Sequence, residues 1–110
     1  MRILYVSNFY PPHAVGGAEI VAQRQAREFK RRGHDVAVFA GKLPDAGDEL
    51  GGIDLEDDDG VRLYRTVMRS LDVDRSFYWP LAERNLAAIM RFERPEIVHF
   101  HNVTGLGANL

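Results

Sequence analysis

Two short apolar runs, Ile3-Leu4-Tyr5-Val6 and Val36-Ala37-Val38-Phe39-Ala40, flank one amphipathic stretch, and that arrangement leaves few folds open. Each run is short and bounded by loop residues, so each reads as a buried parallel strand, the first over Arg2–Val6. Between them, Ala18, Val21, Ala22, Ala26 and Phe29 recur at three- and four-residue spacing. That period predicts a helix from Ala18 to Arg32, with Glu19, Gln23, Arg24, Arg27 and Lys30 facing water. Lys30-Arg31-Arg32 complement the carboxyl end of the helix dipole, and Gly33 is the expected left-handed stop. Strand, helix and strand form a βαβ unit, whose crossover is right-handed almost without exception.

The pattern breaks between Gly41 and Gly60. Five glycines (41, 47, 51, 52, 60), Pro44 and a concentration of acids predict a mobile acidic excursion, 42–60, that includes a hairpin. Ile53-Asp54-Leu55 and Val61–Arg65 pair across Asp59-Gly60, a recognised turn dipeptide. Asp57-Asp58-Asp59 read as a solvated turn and not as a calcium loop. With Gly60 at the sixth loop position, the first falls on Leu55 and the twelfth on Thr66. Thr66–Phe77 has no clear period and reads as loop. Pro80 opens a second helix to Glu93, with Ala82, Leu86, Ile89, Met90 and Glu93 on its inward side, and Pro95 disfavours its continuation. Phe77-Tyr78-Trp79 anchor the start of that helix, or offer a stacking surface. Ile97–His101 is a third parallel strand, and the chain reaches Leu110 just inside another helix.

The predicted fold class is therefore α/β: a Rossmann-like open, mostly parallel sheet with helices on both faces, in a single domain over 1–110. If the last strand lies on the opposite side of the first from the second, the strand order is expected to be hairpin, second strand, first strand, last strand. In such sheets ligands bind beyond the carboxyl ends of the strands, where the strand order reverses. The loop carrying Gly16 and Gly17 leaves one such end and opens a helix. Its backbone N–H groups and dipole favour an anion, and glycine lets a phosphate approach closely. The other reading is that the diglycine only turns the chain. His99 and His101, two apart, point to one face of their strand. His99 reads as a buried, hydrogen-bonded core histidine. His101, at the strand end, is the functional candidate, able to exchange hydrogen bonds with a hydroxyl or to carry charge near a phosphate. A metal site using both would need a third ligand such as His13, and no ligand cluster points to one. His13 and His34 read as loop surface.

Composition narrows the partners. The absence of cysteine excludes disulfides and thiolate metal sites. No segment approaches the roughly 20 apolar residues of a membrane span. Residues 41–60 hold eight of the 16 acids and one of the 14 Lys and Arg, so the rest of the chain is net basic. That balance suits an anionic ligand. Nucleic acid is not expected, because no basic run is interleaved with stacking aromatics.

Four motifs occur in order: Met1–Val6, the Pro11-Pro12 to Gly16-Gly17-Ala18-Glu19 loop, Arg32-Gly33-His34-Asp35-Val36, and Arg94-Pro95-Glu96-Ile97-Val98-His99-Phe100-His101-Asn102. Together they resemble the N-terminal domain of the GT-B retaining glycosyltransferases of the family 4 type. The likeness runs over nearly the whole chain and is thinnest in 42–76. It implies the acceptor-side half of a two-domain enzyme that moves a sugar from a nucleotide-sugar donor to an acceptor hydroxyl, with retention. No essential metal or other cofactor is implied. Carried over by position, Gly16 and Gly17 would lie at the donor phosphates or sugar, and His101 would line the reacting centre as the catalytic candidate. Asn102, Thr104 and Glu19 would be neighbouring contacts. The partners implied are the nucleotide sugar, the acceptor and a C-terminal domain of the same protein. The parent protein is expected to be cytoplasmic, at the inner face of the membrane through peripheral association. The chain itself is expected to be an inactive fragment that pairs as a homodimer through its open sheet edge.

Competing functions make different demands. A non-catalytic module for a phosphorylated ligand would use the same glycine loop and would bind nucleotide sugar by itself. A dinucleotide oxidoreductase needs G-x-G-x-x-G directly after the first strand, whereas Gly16-Gly17 follow Val6 by ten residues. A receiver-type phosphoacceptor needs an aspartate at a strand's carboxyl end, and Asp35 precedes its strand. No carboxylate pair of the glycosidase kind is evident.

Overall fold

The computed structural model describes residues 1–12, 16–68 and 80–101. Seven elements follow one another: β1 (Arg2–Ser7), α1 (Gly17–Arg31), β2 (Asp35–Lys42), β3 (Ile53–Asp58), β4 (Val61–Val67), α2 (Pro80–Glu93) and β5 (Ile97–Phe100). The five strands form one sheet in the order β3-β4-β2-β1-β5. That is the order expected from the sequence. β1 runs parallel to both β2 and β5, β2 parallel to β4, and only β3 is antiparallel to its neighbour β4. The chain steps from β1 to β2 on one side and later returns to place β5 on the other, so the order reverses at β1.

Strand alternation divides the core in two. Ile3, Tyr5, Val36, Val38, Val61 and Leu63 point to the face covered by α1, where Ala26 and Phe29 meet them. Leu4, Val6, Ala37, Phe39 and Tyr64 point the other way, onto Ala82, Leu86 and Ile89 of α2. Helices therefore cover both faces, and β1 and β2 carry near-continuous apolar runs because each face is buried. α1 ends with Gly33 at φ 91°, and Asp59-Gly60 turn the hairpin at φ 51° and 90°. Both were expected from glycine's freedom at positive φ. α2 spans the predicted Pro80–Glu93, after which Arg94 leaves at φ 51°.

Several expectations need correction. Glu19 is not solvent-facing but 2% exposed, while Val21, expected inside, is 47% exposed. The start of α1 has turned so that its acid, and not its valine, faces the protein. Thr66 and Val67 close β4 instead of beginning a loop, because they pair with Gly41 and Lys42. Asp58 is no solvated turn residue: Arg27 and Tyr10 hold it. Met90 lies at the exposed edge of α2, at 38%. His99 is exposed and not a core residue, since β5 lies at the end of the sheet. Phe77-Tyr78-Trp79, His13, Asn102, Thr104 and the helix expected near Leu110 lie outside the described residues.

Candidate functional site at the carboxyl end of the sheet

The segment leaving β1 is held by buried polar groups. The Arg65 guanidinium, 2% exposed, donates to the carbonyls of Tyr10 and Pro11, each at 2.7 Å, and its Nε donates to Glu56 at 2.8 Å. The Tyr10 hydroxyl donates to Asp58 Oδ2 at 2.6 Å, and Arg27 donates to both oxygens of that carboxylate. Phe9 enters the α2-side core and Tyr10 the α1-side core, so the chain is pinned on both faces. β4, the hairpin and α1 thus fix the path from Ser7 to Pro11-Pro12, whose peptide bond is cis.

α1 then begins at Gly17, with Gly16 extended at φ −154°. Neither residue needs to be glycine for conformation. A Cβ on Gly17 would meet nothing within 4 Å among the described residues, and one on Gly16 would reach only Glu19 Oε2, at 4.0 Å. Among the described residues, the diglycine therefore leaves open space at the start of the helix. Glu19 accepts the Gly16 N–H at 3.1 Å through Oε2. An anion arriving here shares the helix dipole with a carboxylate already in place.

β5 brings the histidines to the same end. The His101 N–H donates to the Val6 carbonyl at 2.8 Å, directly beside the carboxyl end of β1. The rings of His99 and His101 stack at 4.4 Å between centroids, and both stack on Tyr5, at 5.1 and 5.4 Å. Tyr5 belongs to the α1 side, so both imidazoles lie on the face that α1 covers. His99 borders an open groove of about 480 Å³ against Arg24, Glu28, Phe29 and Arg32 of α1.

His101 is half-buried, and its Nε2 is buried with no hydrogen-bond partner among the described residues. Burial, and then the neighbouring His99, lower its pKa below the ordinary 6.5. The imidazole is therefore neutral near pH 7 and exchanges hydrogen bonds with a ligand instead of pairing with a phosphate by charge. Among the described residues no group of three or more His, Asp or Glu is placed to hold a metal ion.

Gly16, Gly17 and His101 thus gather at one end of the sheet, where α1 begins and β1 and β5 finish. Arg65, Asp58 and Ser7 escaped the sequence reading. A signal for Arg65 was present: it follows Val61 and Leu63 at the two-residue period of an inward-facing strand. A cation in that position needs partners. Ser7 likewise ends an apolar strand on the face of Tyr5.

An open, mostly parallel five-stranded sheet with helices on both faces and its order reversing at β1 defines a Rossmann-like α/β domain. A family model for Glycosyltransferase Family 4 matches residues 15–110. The chain belongs to that family, as the N-terminal, Rossmann-like part of a GT-B architecture, and its general function is that of a glycosyltransferase. Neither the curated proteins nor the solved structures gave a match.

Proposed function

We propose that this chain is the acceptor-side half of an enzyme that moves a hexosyl group from a nucleotide sugar to an acceptor hydroxyl, with retention. The observation that carries the reading is the buried Nε2 of His101, just past β5, which has no partner among the described residues. A buried imidazole nitrogen without a partner is costly unless a ligand supplies one. Near neutral pH it can donate to, or accept from, a sugar hydroxyl and so orient the donor for attack. As the glycosidic bond stretches, negative charge collects on the leaving nucleoside diphosphate. Backbone N–H groups at the start of α1, around Gly17, are the donors that would meet it. No step requires a metal or other cofactor. The nucleotide itself would be held by a C-terminal domain of the same protein, without which the chain is inactive. A cytoplasmic site at the inner membrane face, reached by peripheral association, suits such an enzyme.

Two measurements test this. The reading frame beyond Leu110 should continue for roughly two hundred residues of α/β pattern, the size of a second domain. A natural stop codon would favour the binding module instead. The whole polypeptide should release nucleoside diphosphate from a nucleotide sugar in the presence of acceptor. His101→Ala should lower kcat at least about a hundredfold, and unchanged turnover would remove His101 from the site.

A further inference from the structure

We infer that Ser7 is a second ligand-contacting group of this site, its hydroxyl paired with an oxygen of the bound nucleotide sugar beside His101. The inference rests on the proposed function and adds a residue to it. Ser7 is fully buried, yet its Oγ has no hydrogen-bond partner among the described residues. The two buried side-chain polar atoms left in that condition are Ser7 Oγ and His101 Nε2. They lie at one place in the fold. The β1–β5 register ends at Val6 opposite Phe100, so one further step along both strands sets Ser7 beside His101. Strand alternation gives Ser7 the face of Tyr5, on which both imidazoles stack. That is also the face on which α1 packs, with its first turn at Gly17.

Packing alone does not call for a hydroxyl there. Ser7 pairs with Ala40 across β2, within an apolar strand, and alanine would fill the position without a group left unpaired. A hydroxyl is both donor and acceptor, so it suits either a sugar hydroxyl or a phosphate oxygen. One oxygen ligand reaching the ends of β1 and β5 together would satisfy both orphaned atoms at once.

The test uses the whole polypeptide that carries this chain and its Ser7→Ala and His101→Ala variants, each titrated with millimolar UDP-glucose, UDP and glucose. The readouts are the NMR signals of the Ser7 amide and the His101 ring, together with the melting temperature without ligand. The expected result is saturable shifts at both positions with UDP-glucose, and affinity reduced about three- to tenfold in Ser7→Ala. The melting temperature of that variant should equal or exceed that of the parent chain. Shifts with UDP alone would identify a phosphate oxygen as the partner, and shifts with glucose alone a sugar hydroxyl. Three results would overturn the inference: a lower melting temperature in Ser7→Ala with binding unchanged; binding lost in His101→Ala but intact in Ser7→Ala; or no shift at either position with any probe. The second leaves the proposed function standing, because turnover of the whole polypeptide judges that separately.

Discussion

Arg65 shows how much of this site is held from beneath. Its guanidinium is the partner of two main-chain carbonyls, Tyr10 and Pro11, in the segment that leads to the diglycine. Arg65→Ala leaves both carbonyls unpaired in a buried setting and should cost about 2–4 kcal/mol in urea unfolding. Arg65→Lys, with fewer donors in a different geometry, should recover only part of that. A loss below about 0.5 kcal/mol, the range of an ordinary surface substitution, would contradict the clamp. Asp58 adds a pH dependence. Burial works to raise its carboxyl pKa, but hydrogen bonds from Arg27 and Tyr10 outweigh this and hold it below the ordinary 3.8. A depressed folded value means that the stabilisation is complete above 3.8 and is lost as pH falls through the folded value. The stability gap between the parent chain and Asp58→Asn should therefore narrow as pH drops below 3.8, and a constant gap would contradict the assignment. At this scale the sequence was least legible. Glu19, Asp58 and Arg65 are charged residues whose burial depends on partners distant in the chain. His99 was placed in the core on strand pattern alone, which does not say whether a strand has one neighbour or two.

Elements were easier to read, because hydrophobic period and chain punctuation are local. β1, α1, β2, α2 and β5 follow from apolar spacing with glycine or proline at their ends. The strand order followed only once the last strand was set on the opposite side of the first from the second, a placement that local pattern does not dictate. The hairpin was legible at its turn but not in its length. All but the last residue of β3 are exposed, so no apolar alternation marks its extent. Its acids are characteristic of a strand that closes a sheet edge against further pairing. Gly60 carries the turn at φ 90°, and a Cβ there would lie 2.9 Å from Lys30 Cε. Gly60→Ala should destabilise the chain by about 1–2 kcal/mol in thermal or urea unfolding. A neutral substitution would mean that the turn relaxes without loss of the Asp58 contacts.

For the whole molecule, the two ends of the sheet contrast. β3 guards one edge with acids, whereas β5 ends the other with Ile97 and Phe100 46% and 45% exposed. The isolated chain is expected to self-associate along β5. Light scattering should show mass rising with concentration, and Ile97→Lys should abolish the rise; a monomer at every concentration would exclude that pairing. The end of the sheet proposed to take the ligand is the one where strand order reverses at β1. It unites residues as far apart in the chain as Gly17 and His101, which only the topology brings together. The most direct measurement is a crystal structure of the polypeptide carrying this chain with a nucleotide sugar bound. The transferred sugar should sit with an oxygen about 2.6–3.2 Å from His101 Nε2, its diphosphate facing the start of α1. A sugar seated in the groove between α1 and His99, or at the amino ends of the strands, would contradict the account.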